Sequence, residues 1–162
     1  MATAAQAFLA RLESGNFEFE PNGFYMLLSE LKDPGKYHWG LYLAYNQRDG
    51  RVFHLEKSEE TNMEWKFQSD PTTEAWVSKA LRLAYKLGEI EPDWHEALAL
   101  RISMVSRDEP VTCLTWLKRA LRELHEEDYI TLTRSITQLE FDALSRAYTL
   151  PRQPGGNDRR VF

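Results

Sequence analysis

The stretch from residue 37 to residue 56 constrains the fold more tightly than any other part of the chain. Its first half, His38-Trp39-Gly40-Leu41-Tyr42-Leu43-Ala44-Tyr45, is aromatic and of strand length, and its second half reads Arg51-Val52-Phe53-His54-Leu55-Glu56. Aromatic and β-branched residues suit a pleated, half-buried surface. The polar connection between them closes on Asp49-Gly50, which predicts a hairpin. Successive side chains of a strand alternate in direction, so His38, Gly40, Tyr42 and Ala44 share one face of the first arm. Val52, His54 and Glu56 share a face of the second. In a regular register His38 and His54 emerge as near-diagonal neighbours.

Around this hairpin the chain mixes strand and helix signals. Pro21-Asn22-Gly23 is turn chemistry before an apolar run of strand length, Phe24 to Leu31, and Asp33-Pro34-Gly35 makes the next turn. The alternation Trp65-Lys66-Phe67 allows a third strand. Ser69-Asp70-Pro71 reads as the opening of a helix from Thr72 to Leu87, with Trp76, Ala80, Leu83, Ala84 and Leu87 as its apolar stripe and Gly88 as its stop. Glu91-Pro92-Asp93 starts another element, carried to Val105 by Trp94, Leu98 and Ile102. The clearest helix is Cys113 to Glu126, where Leu114, Leu117, Leu121 and Leu124 recur at helical spacing behind Thr112, a residue type suited to N-capping. A last helix, from about Ser135 to Leu150, is expected to bury Ile136, Leu139, Leu144 and Tyr148. A short amphipathic helix is expected over Ala2 to Leu12. These elements predict an α+β fold, a small antiparallel sheet packed against helices, in one domain over residues 1–150 with a flexible tail over 151–162.

Composition narrows the function classes. A length of 162 residues suits one core. A net charge of −5 supplies no cationic field to gather phosphates, which argues against nucleic acid as a partner. No segment reaches the roughly 18 continuous apolar residues of a membrane helix, and the start of the chain lacks a basic region followed by an apolar stretch. The expectation is an unanchored cytoplasmic protein without a cofactor. A single cysteine, Cys113, excludes an internal disulfide and a cysteine-based zinc cluster.

A thiol attacks as the thiolate, which at the unperturbed pKa of ~8.5 is a minor form at neutral pH. Backbone amides at a helix start favour the anion, and an adjacent imidazole can take the proton and return it to a leaving group. Cys113 has the first by position. Of the four histidines, His125 lies about three turns along the same helix, and His95 sits between Asp93 and Glu96 where a solvated role is expected. His38 and His54 remain, with Glu56 as a competing orienting group. Each candidate also has a structural reading: a lone cysteine is commonly a small buried hydrophobe, and tryptophans commonly build core.

Tyr37-His38-Trp39-Gly40-Leu41-Tyr42-Leu43 followed by Gly50-Arg51-Val52-Phe53-His54-Leu55 resembles the paired strands of the lecithin retinol acyltransferase-like family, a branch of the circularly permuted papain-like superfamily that also holds the NlpC-type peptidases. The resemblance covers about twenty residues. It implies a permuted papain-like fold in which His38 is the base, His54 orients it and Cys113 is the nucleophile. The segment Thr112-Cys113-Leu114-Thr115-Trp116 departs from the N-C-E-H-F surroundings usual there. The expected activity is acyl transfer from an ester, thioester or amide of a small-molecule or peptide substrate, with Trp39, Tyr42 and Trp116 at the substrate. Two other classes stand beside it: a non-catalytic papain-like module binding a small ligand or protein partner, and a zinc hydrolase using His38, His54 and Glu56.

Overall fold

The computed structural model describes residues 19–33, 35–57, 61–73, 81–149 and 160–161. The helix expected over Ala2 to Leu12, Trp76, and most of the tail lie outside these residues. Strands β1 (Gly23–Glu30), β2 (Tyr37–Ala44), β3 (Asp49–Glu56), β4 (Lys66–Thr73) and β5 (Leu81–Glu89) come first. A 3-10 turn at Pro92–Trp94 leads into α1 (His95–Ser103), followed by α2 (Cys113–Glu126), α3 (Ile136–Thr149) and the two-residue strand β6 (Arg160–Val161). The sheet order is β4-β3-β2-β1-β5-β6, antiparallel except for the β5–β6 pair. The protein is therefore α+β.

Alternation along the strands sorts the side chains into two cores. Phe24, Met26 and Leu28 of β1, Trp39, Leu41 and Leu43 of β2, and Phe53 and Leu55 of β3 pack with Trp116, Leu117 and Leu121 of α2. Tyr25, Leu27, Tyr42, Ala44, Leu81 and Ala84 form a second cluster with Phe19 on the far face. Burial on both faces explains why β1 is an unbroken apolar run and not an alternating one.

The expected helix from Thr72 to Leu87 is corrected. Thr72 belongs to β4, and Leu81 to Glu89 form β5, paired with β1 from Gly23 to Ser29. Leu83, Tyr85 and Leu87 also satisfy period two, with Leu81 turned to the far face beyond a register shift, and a chain that fits both periods takes the one whose backbone partners the fold supplies. Gly88 is not a helix stop; it pairs with Phe24 beside a register shift. Pro71 does not open a helix either. It lies in β4 opposite Arg51, on the sheet edge, where a residue without an N–H costs no ladder bond on the outer side. In α3 the buried line is Leu139, Ala143 and Ala147, while Tyr148 is 79% exposed. Small side chains there let the helix approach β5, and the buried Arg82 Nε donates to the Ala147 carbonyl at 3.0 Å.

Gly50 has a different task from the one its Asp-Gly setting suggests. The reversal lies earlier, where Asn46 Oδ1 accepts from the Arg48 and Asp49 amides, each at 2.8 Å. Gly50 itself is a β3 residue paired with Ala44, and a Cβ there would overlap the Tyr42 ring and the Leu43 carbonyl. Gly50→Ala is expected to destabilise by about 1–3 kcal/mol, the usual cost of overpacking. Chemical denaturation would detect this, and an unchanged midpoint would show that the ring yields freely.

Candidate functional site

His38 and His54 stand on the far face of the sheet. Gly40 follows His38 on that face of β2, and a Cβ on it would come within 3.3 Å of His54 Cβ, so its lack of a side chain leaves room for the second imidazole. The two rings meet edge to face with centroids 5.1 Å apart, and His38 Nε2 and His54 Nδ1 share a proton across 2.8 Å. One consequence is chemical. If His38 Nε2–H donates, His38 Nδ1 is a bare acceptor and His54 Nε2 carries a proton; if His54 Nδ1–H donates, both outer nitrogens reverse. The neutral pair thus presents one donor and one acceptor at its ends.

Burial disfavours the charged form of both rings. It is the main reason that His38 is pushed down to about 4, with the neighbouring His54 adding to the fall and Glu56 opposing it. His54 is lowered for the same reason, against the pull of Asp70. Both are neutral at physiological pH. They line a cavity of about 230 Å³ with Leu27, Val52, Leu81, Gly40, Ser29 and Thr72. Its walls are aliphatic, with hydroxyls and imidazoles as the polar groups, a composition typical of small-ligand sites.

Cys113 is not brought to this pair. It begins α2 behind a capping box in which Thr112 Oγ1 accepts from the Thr115 amide at 3.2 Å and Thr115 Oγ1 from the Thr112 amide at 2.7 Å. Its side chain is buried in the core between α2 and the sheet, with Trp39 and Trp116. His38 and His54 point away from that core because their positions have the opposite parity to Trp39, Leu41, Phe53 and Leu55. The sheet backbone separates thiol from imidazole, and a base must come within hydrogen-bond reach of the proton it removes. Trp39 and Trp116 are core residues of the helix face, whereas Tyr42 is buried on the far face against Phe19 at 4.6 Å. The three do not form one surface.

His95 is more engaged than a solvated residue: its ring stacks on Tyr45 at 5.5 Å and its Nε2 lies 2.8 Å from the Ile90 carbonyl. His125 Nδ1 accepts from the Leu132 amide at 3.1 Å. Among the described residues no three His, Cys, Asp or Glu side chains group as metal ligands, so the proposed set His38, His54 and Glu56 does not assemble. No helix among them is long and apolar enough to cross a membrane. Sequence reasoning missed Ser29 and Thr72 as cavity residues. Ser29 carried a signal, being the one hydroxyl directly after the apolar run Phe24 to Leu28, at the parity of Tyr25 and Leu27.

Fold and site together define an α+β protein with one mainly antiparallel sheet, helices packed on one face, and a hydrogen-bonded histidine pair in a small cavity on the other. No family model, curated protein or solved structure matches the chain.

Proposed function

We propose that this protein is a ligand-binding module whose site is the His38–His54 cavity, with Cys113 outside it. A histidine-bearing hairpin before a cysteine-led helix is the order the resemblance to a permuted papain-like frame implies, and the proposal reads it as a frame that does not use its thiol. The observation that carries the proposal is the 2.8 Å imidazole pair opening on an aliphatic cavity of about 230 Å³. That volume lies below the ~300 Å³ at which sites for drug-sized molecules begin, so the ligand is compact. Its body is apolar, to meet Leu27, Val52 and Leu81. Its head both donates and accepts a hydrogen bond, or does either one, since the pair reverses its tautomers to suit. Carboxylates are disfavoured by Glu56 and Asp70, whose charges act on the pair.

Protein-observed proton NMR during titration with short-chain alcohols, amides and esters tests this. Binding is expected to shift the imidazole C–H resonances of His38 and His54, to be lost in Leu27→Trp, and to survive Cys113→Ala. Binding that requires Cys113, or that leaves both imidazoles unmoved, would overturn the proposal in favour of cysteine-dependent acyl transfer or a different site.

A further inference from the structure

Ser29 and His38 are direct cross-strand partners in the β1–β2 register, and both line the cavity. Directly opposed residues of an antiparallel pair carry Cβ atoms about 4.5–5.5 Å apart when they share a face. The Ser29 hydroxyl, the His38 imidazole and the His54 imidazole therefore follow one another along the far face, the last two joined at 2.8 Å. The linkage leaves one ring nitrogen of His38 uncommitted, Nδ1. Among the described residues no hydrogen bond engages it.

We infer that Ser29 is an activated nucleophile, with His38 as its base and His54 as the positioning residue, acting on short-chain carboxylic esters. The inference rests on the ligand-binding reading of the same cavity and adds covalent chemistry to it. In the tautomer where His38 Nε2–H donates to His54 Nδ1, His38 Nδ1 is a bare acceptor. Ser29 Oγ bonds to the ester carbonyl carbon while its proton passes to His38 Nδ1. The carbonyl π electrons move onto oxygen and return as the bond to the alkoxy group breaks, and the His38 proton leaves with that group as the alcohol. Water repeats the sequence on the acyl-serine: its proton goes to His38, its oxygen bonds to the acyl carbon, and the bond to Ser29 Oγ breaks. The carboxylic acid departs and the proton returns to Ser29. No reductant, oxidant or metal enters the balance. The aliphatic walls and the cavity size select a short acyl chain.

This arrangement differs from a thiol mechanism in which Cys113 would form the acyl-enzyme, because the hydroxyl and the imidazoles occupy one face of one sheet. His54 acts through His38 in the reaction. Its role is to hold the proton on His38 Nε2 so that Nδ1 stays bare, as an orienting group does in other nucleophile–base pairs.

The test uses a small alkyl fluorophosphonate, which phosphonylates activated serines, with the labelled residue located by peptide mass spectrometry. Label on Ser29 is expected in the wild-type protein and absent in Ser29→Ala. His38→Ala should slow labelling by about 100-fold, the lower end of what a positioned base contributes. His54→Ala should slow it by about tenfold, and His54→Gln, whose amide oxygen can accept from His38 Nε2–H, should restore most of that loss, a rescue that a purely structural role for His54 would not give. The thiol introduced by Ser29→Cys should react with iodoacetamide in a His38-dependent way. Absence of label on Ser29, together with an introduced thiol indifferent to His38, would overturn the inference. If short-chain ligands still shift the imidazole resonances in that case, the binding reading stands without it; if they do not, both fall.

Discussion

Trp116→Ala is expected to lower the unfolding free energy by about 3–5 kcal/mol, the range for removing a large aromatic from a core. The residue is fully buried in α2, packed against the Phe67 ring of edge strand β4 at 5.7 Å and among the apolar side chains of β2 and β3. It thereby joins the amphipathic helix to the edge of the sheet. Neighbouring strands cannot close a cavity of that size without breaking their ladder, so little relaxation offsets the lost contacts. A typical domain is stable by only about 5–15 kcal/mol, and the variant would be partly unfolded under mild stress. Trp116→Phe should cost much less, because the indole Nε1 has no hydrogen-bond partner among the described residues to lose. Urea unfolding of the two variants decides the matter; a loss below about 1 kcal/mol for Trp116→Ala would mean that α2 is not the principal cover of this face.

Acid is expected to destabilise the protein between pH 6.5 and about 4 through the histidine pair. The folded-state value of His38 is pushed down to about 4 from 6.5, and His54 moves in the same direction. A group with a lowered folded value binds fewer protons folded than unfolded, so stability rises with pH across the window between the two values. The contribution is fully present above about 6.5, falls as the unfolded chain takes up protons, and levels off below about 4. A difference of that size corresponds to roughly 3 kcal/mol for full protonation, reduced to about 2 for the water that still reaches the half-buried ring. The measurement is the urea midpoint of wild type and His38→Gln at about pH 7 and about pH 4.5, either side of most of that window. Equal pH slopes in the two proteins would show that the pair is already charged or already solvated at neutral pH.

Much of the fold was legible in residues 23–56 and 113–126. The alternation along β2 and β3 and the leucine spacing behind Thr112 each have one reading, since local propensity and burial pattern agree there. The segment from Thr72 to Leu87 had two. Its apolar residues satisfy a helical stripe and a strand alternation at once, and the vacant edge of β1, which settles the choice, is invisible without the fold. Arg51 opposite Pro71 and Gly50 beneath Tyr42 are likewise relations between strands. The three candidate site residues divide along the same line. His38 and His54 were paired by period two, by elimination of His95 and His125, and by the resemblance of their hairpin. Cys113 was singled out by its place at a helix start, a property that says nothing about which face of the sheet the helix covers.

By itself the sequence determined the two-faced hairpin, the capped α2 helix and the shared face of His38 and His54, because periodicity and capping are local and each residue's neighbours in the chain impose them. Only the tertiary structure decided that α2 packs on the Trp39, Leu41 and Leu43 face, which buries Cys113 on one side of the sheet and leaves the imidazoles on the other with Ser29. That face gathers apolar side chains from β1, β2, β3 and β5, strands far apart in the chain, and no local pattern gives access to such a sum.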